Sequence, residues 1–102
     1  MRTDALLSLK GLAVSFRDGR RRSIALRDVG FDLPYAKTVA IVGESGCGKS
    51  LTARSILRIL DSNATIDSGQ ILFEGVNLAG PSEKDPILNS IRGGRIGLIY
   101  QE

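Results

Sequence analysis

The sequence predicts an α/β fold in which an antiparallel β portion precedes a strand, a glycine-rich turn and a helix. Three observations lead to this prediction. Two partly alternating apolar runs come before Pro34, as in paired strands with one buried face. A β-branched run follows at residues 38–42, and apolar positions at helical spacing follow at residues 49–60. The antiparallel portion is expected around residues 5–33 and 70–75.

Length and composition are those of one small globular unit. The chain has 102 residues, of which 42% are hydrophobic and 25% are charged, and it contains no low-complexity tract. No internal linker divides it, so residues 1–102 are treated as one domain or as part of one. The sequence lacks the run of about 18 apolar residues that a membrane-spanning helix needs, and it does not open on a signal peptide. We therefore expect a cytoplasmic location, with any membrane association made through a partner.

The positive charge is concentrated in one short cluster. Fourteen basic and eleven acidic side chains give a net charge of +3. Four of the basic residues surround Gly19, namely Arg17, Arg20, Arg21 and Arg22. No aromatic side chains interleave with them, as a stacking platform for single-stranded nucleic acid would need. We interpret the cluster as a solvated turn and predict no nucleic-acid partner, while an anion-binding patch stays open as the alternative.

The numbers of cysteines and histidines limit the kinds of catalytic and metal sites that the chain can form. The sequence has a single cysteine, Cys47, and no histidine. An intrachain disulfide is therefore impossible, and a metal site built from several Cys or His ligands is excluded. The absence of histidine also removes the commonest general base and any Ser-His-Asp triad.

The first elements are predicted to form a hairpin. Residues 6–16 are mostly apolar and predict a strand, and residues 24–33 predict a second strand antiparallel to it. Residues 17–23 join them as a turn, which Asp18-Gly19 signals and the arginines lengthen.

The later elements are predicted to alternate between strands and helices. Residues 38–42 show no alternation, which suits a strand buried on both faces. After the helix at 49–60, the sequence predicts a turn at 67–69, a strand at 70–73, a helix at 82–91 and a strand at 95–100. Ser82 and Asp85 resemble a helix cap, whereas Pro86 counts against that helix.

The glycine-rich segment matches the pattern G-x-x-x-x-G-K-[ST] without a gap. Its residues in order are Gly43, Glu44, Ser45, Gly46, Cys47, Gly48, Lys49 and Ser50. Successive backbone N–H groups of such a loop form a concave nest for polyphosphate, and the glycines allow an approach that a Cβ would prevent. The helix that starts near Lys49 points its N-terminus at the same anion. The segment therefore predicts a P-loop that binds a nucleoside triphosphate, most simply ATP.

Individual residues of the P-loop have distinct expected roles. Lys49 should reach the β- and γ-phosphates, and the Ser50 hydroxyl should ligate Mg²⁺. Leu51 is included with the cofactor-binding residues. Cys47 fills a position that needs only a backbone N–H, with a reactive thiol as the alternative. The alternative for the whole segment is a glycine-rich turn with an incidental lysine.

Two residues outside the loop are further candidates. Phe16 could stack on adenine, although its position in the pattern favours a core residue. A P-loop hydrolase also needs an apolar strand that ends in an aspartate to hold the metal. Here the apolar strand is followed by Gln101, whose amide carries no charge, and then by Glu102, which is one residue out of register.

Four stretches of the sequence resemble the ATP-binding subunits of ABC transporters, within them the oligopeptide and dipeptide import type that also includes nickel importers. These stretches are IALRDVGFDL with VAIVGESGCGKS, then SLTARSILRIL, then DSGQILFEGVNL, and finally IRGGRIGLIYQE. The resemblance covers nearly the whole chain but well under half of a complete family domain. One departure is Ala36-Lys37, where a Gly-Glu turn is usual.

The resemblance implies roles and partners beyond those derived from the residues. It implies that Phe16 is the adenine-stacking aromatic, that residues 43–50 are the Walker A loop, and that Gln101 is the Q-loop glutamine. Lys49 and Gln101 would then be catalytic, and Ser50 and Gln101 would contact Mg²⁺. The implied partners are the transmembrane permease subunits and a second ATP-binding subunit, at the cytoplasmic face of the inner membrane.

The motifs that the family places further along are not in this sequence. They are the LSGGQ signature, the Walker B strand with its aspartate and catalytic glutamate, and the switch histidine. We therefore expect residues 1–102 to be the N-terminal part of a nucleotide-binding domain, truncated after the Q-loop glutamine, that alone binds ATP weakly or not at all and does not hydrolyse it. The alternatives are a P-loop small-molecule kinase and a truncated remnant without a function of its own.

Overall fold

A computed structural model describes residues 5–42, 48–80 and 86–99. Within these ranges the strands are β1 Ala5–Asp18, β2 Arg21–Pro34, β3 Ala64–Phe73 and β4 Val76–Asn77, and the helices are α1 Lys49–Ile56 and α2 Pro86–Ile91. The strands form one sheet in the order β2-β1-β3-β4, and every pairing is antiparallel. The predicted antiparallel β portion is confirmed.

The β1–β2 hairpin is tighter than the sequence suggested. Asp18 pairs with Arg21, so only Gly19 and Arg20 form the turn. Gly19 has a φ of +61°, which glycine adopts without the penalty that a Cβ would bring. Because this turn closes in two residues, the prediction of a longer turn over 17–23 is wrong, and Arg21 belongs to β2.

One face of the sheet carries the hydrophobic core. Cross-strand partners on this face are Leu9 with Phe31 and Ile71, and Val14 with Leu26 and Ile66. Leu9 is 2% exposed and Val14 is fully buried. The core also includes Leu7, Leu12, Phe73, Leu78, Leu88 and Ile91. Because Leu51 and Ile56 of α1 pack against this core, both helices lie on the same side of the sheet.

Glycines allow β1 and β3 to change register while keeping this face apolar. The pairing slips between Lys10–Gln70 and Ala13–Ser68, and again before Val14. Gly69 in β3 has a φ of +98°, and a Cβ built there would lie 2.4 Å from the backbone oxygen of Gly11. The predicted turn at 67–69 is therefore wrong, because those residues form a β-bulge inside β3. The positive φ that the turn signal indicated occurs at Gly69 within this bulge.

Two predicted strands do not form. Residues 37–42 have no regular structure, and Val39, Ile41 and Val42 are 40%, 45% and 86% exposed. A strand buried on both faces needs hydrogen-bonded strands along its edges and packed elements over its faces, and the described sheet contains no strand paired with this segment. Residues 97–99 likewise lack a strand, with one parallel bridge between Arg92 and Ile96 just before them. Tyr100 lies outside the described residues.

Helix α1 is shorter than predicted, and α2 is confirmed over the described part of its predicted range. Helix α1 ends at Ile56 rather than near residue 60, because Arg58 adopts a left-handed φ of +57° that stops the helix. Helix α2 begins at Pro86, a residue whose missing N–H is tolerated at a helix start. Ser82 and Asp85, the predicted cap, lie outside the described residues. Within the described ranges, neither helix has the length and apolar character needed to cross a bilayer.

The side chain of Arg92 ties the end of α1 to the segment after α2. Its Nε donates to the Leu57 carbonyl oxygen and its Nη2 to the Arg58 carbonyl oxygen, both at 2.8 Å. The last carbonyls of a helix have no partner within the helix, and a cation there also complements the helix dipole. Arg92 therefore satisfies and stabilises the C-terminal end of α1.

We expect Arg92→Ala to lower the free energy of unfolding by about 2 kcal/mol, because two partly buried carbonyls lose charged donors. Urea unfolding followed by circular dichroism measures this. The matched control is Arg54→Ala, which breaks the 3.2 Å surface ion pair with Asp61 and should cost less than about 1 kcal/mol. Equal losses in the two variants would contradict the role assigned to Arg92.

Candidate phosphate-binding site

The N-terminus of α1 has the features of an anion-binding helix end. Gly48 caps the helix in a left-handed conformation, with φ 96° and ψ 7°, and no side chain caps it. The first four N–H groups of a helix have no partner within the helix; here the first intrahelical bond runs from the Thr52 N–H to the Gly48 oxygen, at 2.8 Å. The first turn also contains no acidic residue. This helix end is therefore suited to an anion.

Gly48 also fixes where this helix end sits on the sheet. A Cβ at Gly48 would lie 2.5 Å from Leu26 Cδ2, and its φ is one that side chains rarely adopt. Leu26 is buried in the core and pairs with Val14 of β1. The start of α1 therefore lies against β2, on the core face of the sheet.

The buried side of α1 carries two hydroxyl groups that are hydrogen-bonded to backbone oxygens one turn earlier. Thr52 and Ser55 are buried, at 4% and 0% exposure. The Thr52 hydroxyl donates to the Gly48 oxygen at 2.8 Å, and the Ser55 hydroxyl donates to the Leu51 oxygen at 2.7 Å. With this side turned inward, Lys49 is half-buried and Ser50 is exposed at the first turn. A lysine and a serine thus occupy the first turn of the helix.

Phe16 lies on the same sheet face as this helix end. It pairs with Ser23 of β2 and with Ala64 of β3, and it is half-buried. Val14 and Phe16 are two residues apart in a regular stretch of pairing with β3, so their side chains point to the same face, about 7 Å apart. Phe16 therefore lies past the buried cluster around Val14, where the sheet is less covered.

The structure brings together only part of the predicted site. It places Gly48, Lys49, Ser50 and Leu51 at the start of α1 and Phe16 on the neighbouring sheet face. The other predicted residues lie outside the described ranges: Gly43, Glu44, Ser45, Gly46, Cys47 and Gln101. Their assigned roles remain predictions.

Sequence reasoning missed the residues that continue this face beyond Phe16. Ser23 pairs directly with Phe16, and Asp18 and Arg21 form the next pair on the same face. The sequence predicted a turn over all of residues 17–23. The signal that could have found them is the two-residue turn that Asp18-Gly19 favours, because alternation counted outward from such a turn assigns the faces.

A metal ion would have few ligands among the described residues. No group of three or more Asp, Glu, Cys or His side chains in that part of the chain could hold one. The exposed Ser50 hydroxyl is a hard oxygen donor of the kind that Mg²⁺ accepts alongside substrate phosphates and water. The residues present therefore fit a magnesium ion held mainly by a bound polyphosphate.

A helix that starts at a left-handed glycine, with lysine and serine in its first turn, places this chain among proteins with a phosphate-binding loop. Comparison with known proteins identifies the family. The model of the ABC transporter family matches residues 26–102, and the chain belongs to that family. Membership implies a P-loop NTPase fold, and the described antiparallel sheet with its two helices is a partial domain of it.

Several curated relatives are similar over almost the whole chain. The peptidoglycan transport ATP-binding protein YejF of Agrobacterium fabrum is 45% identical over 98% of this chain. The oligopeptide transport ATP-binding protein OppD of Bacillus subtilis is 41% identical, and the dipeptide transport ATP-binding protein DppD of Lactococcus lactis is 39% identical, each over 100% of this chain. The chain spans only 18%, 28% and 29% of the lengths of these three proteins.

Proposed function

We propose that this chain is the N-terminal part of the ATP-binding subunit of an ABC transporter that imports peptides. In this proposal, residues 1–102 belong to a nucleotide-binding domain and include its Q-loop glutamine, Gln101. The observation that carries the proposal is the helix end at Gly48, with Lys49 and Ser50 beside it, on the sheet face that also holds Phe16. The names of the relatives, which concern oligopeptide, dipeptide and peptidoglycan transport, support a peptide rather than nickel as the cargo.

In this proposal, two groups of residues on one sheet face divide the binding of ATP between them. Backbone N–H groups at the start of α1 bind the β-phosphate, and the Lys49 ammonium neutralises the β- and γ-phosphates. Phe16 stacks on the adenine, because a purine ring offers an apolar π face. Gly43, Glu44, Ser45, Gly46 and Cys47 supply further backbone N–H groups of the phosphate nest.

Ser50 and Gln101 would hold Mg²⁺ with the phosphates. When bound, the ion neutralises charge that builds up on the transferred phosphoryl group. The Gln101 amide orients the attacking water in this proposal, while Lys49 stabilises the phosphate oxygens. The rest of the hydrolytic machinery belongs to segments that the longer relatives would carry.

The proposed partners follow from the same family membership. In the whole protein, a second ATP-binding subunit would close over the bound nucleotide, and permease subunits would hold the pair at the cytoplasmic face of the inner membrane. Closure on ATP and reopening after hydrolysis would drive transport. The match to the ABC transporter family over residues 26–102 favours this function over a P-loop kinase for small metabolites.

We expect Lys49→Ala to abolish the stabilisation of this chain by Mg-ATP, because the phosphates lose their neutralising cation. A ligand at ten times its Kd stabilises a protein by about 1.4 kcal/mol, so even millimolar binding is visible as a thermal shift. The matched control is Lys10→Ala, which removes an exposed lysine from β1, where it pairs with Gln70. The control should keep the shift; a shift that persists in Lys49→Ala would show that the P-loop is not the site.

A further inference from the structure

The faces of the β1–β2 hairpin are fixed by the contacts of one arginine. The Arg22 Nε donates to the Ser15 hydroxyl at 3.2 Å, and the Arg22 Nη2 lies 3.1 Å from Asp67 Oδ1. Ser15 and Arg22 therefore share the face opposite to the core. Because side chains alternate along a strand, Arg21 lies on the other face, the one that carries Val14 and Phe16.

Three positions, here called stations, follow each other along this face, and the first two match the phosphates and the base of the proposed nucleotide. The start of α1 lies at Leu26, which pairs with Val14. Phe16 and Ser23 form the second station, about 7 Å further along β1. Asp18 and Arg21 form the third station, at the end of the hairpin.

Arg21 can reach a base stacked on Phe16 but not the phosphates. Arg21 stands diagonally across from Phe16, since Phe16 pairs with Ser23, and such diagonal neighbours are about 7–8 Å apart, within reach of a long side chain. Leu26, which marks the phosphate end, is five residues along β2, or roughly 15 Å away. Arg21 is exposed, so its guanidinium is accessible to a ligand from solvent.

We propose that Arg21 is a nucleotide-binding residue that contacts the adenine held against Phe16. Its planar guanidinium stacks on or beside the purine, which separates it from the phosphate-binding role of Lys49. This inference rests on the proposed binding of ATP at the start of α1. It gives a binding role to one member of the arginine cluster, while Arg17 and Arg22 lie on the opposite face of the hairpin.

The test compares ATP with inorganic tripolyphosphate, which has the phosphates but no base. NMR titration of the 102-residue chain, with Mg²⁺ and each ligand at up to millimolar concentration, measures both affinities. We expect Arg21→Ala to weaken ATP binding by about 2- to 5-fold and to leave tripolyphosphate binding unchanged. Lys49→Ala should weaken both ligands.

The matched control is Arg17→Ala, which removes the same charge from an exposed residue on the other face. It should bind both ligands as the unaltered chain does. The inference is overturned if Arg21→Ala binds ATP normally, if it weakens both ligands equally, or if Arg17→Ala weakens ATP to the same extent. If the unaltered chain binds neither ligand, the phosphate site proposed for residues 48–51 of this chain fails, which is distinct from a failure at Arg21.

Discussion

Replacing Gly69 with alanine is expected to lower the free energy of unfolding by about 3 kcal/mol, through a strained φ together with a backbone clash. Gly69 has a φ of +98°, and a Cβ there would lie 2.4 Å from the Gly11 oxygen and 2.6 Å from the Leu12 Cα. All three nearest atoms belong to the backbone of the central strand, so none can rotate out of the way. The β1–β3 pairing must shift, and Leu12, which is fully buried, shifts with it.

Gly75→Ala separates the two causes of this loss. Gly75 also has a positive φ, +82°, but nothing lies within 4 Å of a Cβ built there. It should therefore cost only the conformational term, on the order of 1 kcal/mol. Chemical denaturation of both variants measures the difference, and a Gly69→Ala protein no less stable than Gly75→Ala would refute the close packing of β1 and β3 at this point.

The second large expected effect is the loss of about 3 kcal/mol of stability in Leu9→Ala. Leu9 lies on the central strand between Phe31 and Ile71, and it is 2% exposed. Neighbours on both sides belong to regular strand pairing, so they cannot collapse into the space left by the side chain. The cost therefore includes a residual cavity in addition to the lost apolar burial. Urea unfolding at equilibrium gives the value.

Val42→Ala is the control for this second prediction. It also removes aliphatic carbons, but Val42 is 86% exposed, so the change in stability should stay within about 0.5 kcal/mol. If Val42→Ala were to cost as much as Leu9→Ala, residues 38–42 would be buried in solution, as the sequence had suggested.

The first hairpin could be predicted from the sequence because its signals are local. Leu12, Val14 and Phe16 alternate along β1, and Asp18-Gly19 marks the turn. These features depend only on neighbours along the chain and on one facing strand. Pairing of β1 with β2 follows from them, and the structure confirms it.

The failures come where the outcome depends on distant residues. The run at 38–42 has the composition of a buried strand, but a strand also needs partners, and composition does not supply them. The sequence Asp67-Ser68-Gly69 is typical of a turn, yet Gly69 adopts its positive φ inside β3, where Gly11 of β1 lies against it. The sequence therefore indicated the local conformation of Gly69 correctly, but contact with the facing strand β1 places that conformation inside a strand rather than in a turn.

The candidate site also has one part that local sequence signals predict and one part that depends on distant residues. The motif predicted Gly48, Lys49 and Ser50 at a helix start, and α1 begins there. Phe16 could be assigned to the core or to a base, and only the register of the sheet shows that it extends past the buried cluster. The face of the hairpin on which Arg21 lies likewise depends on the length of the turn, and the arginines in this stretch suggested a longer turn than the one that forms.

The strand order has a consequence for how the chain behaves at high concentration. Among the described residues, a sheet ordered β2-β1-β3-β4 has two edges without a further paired strand, and strand addition at sheet edges is a common route to self-association. One of these edges is β2, and its exposed charged residues disfavour pairing with an added strand; they are Arg27, Asp28 and Asp32. At the other edge, β4 pairs only with Leu72 and Phe73 of β3. The remaining part of β3 contains the bulged stretch with Asp67, and its twist disfavours pairing with an added strand.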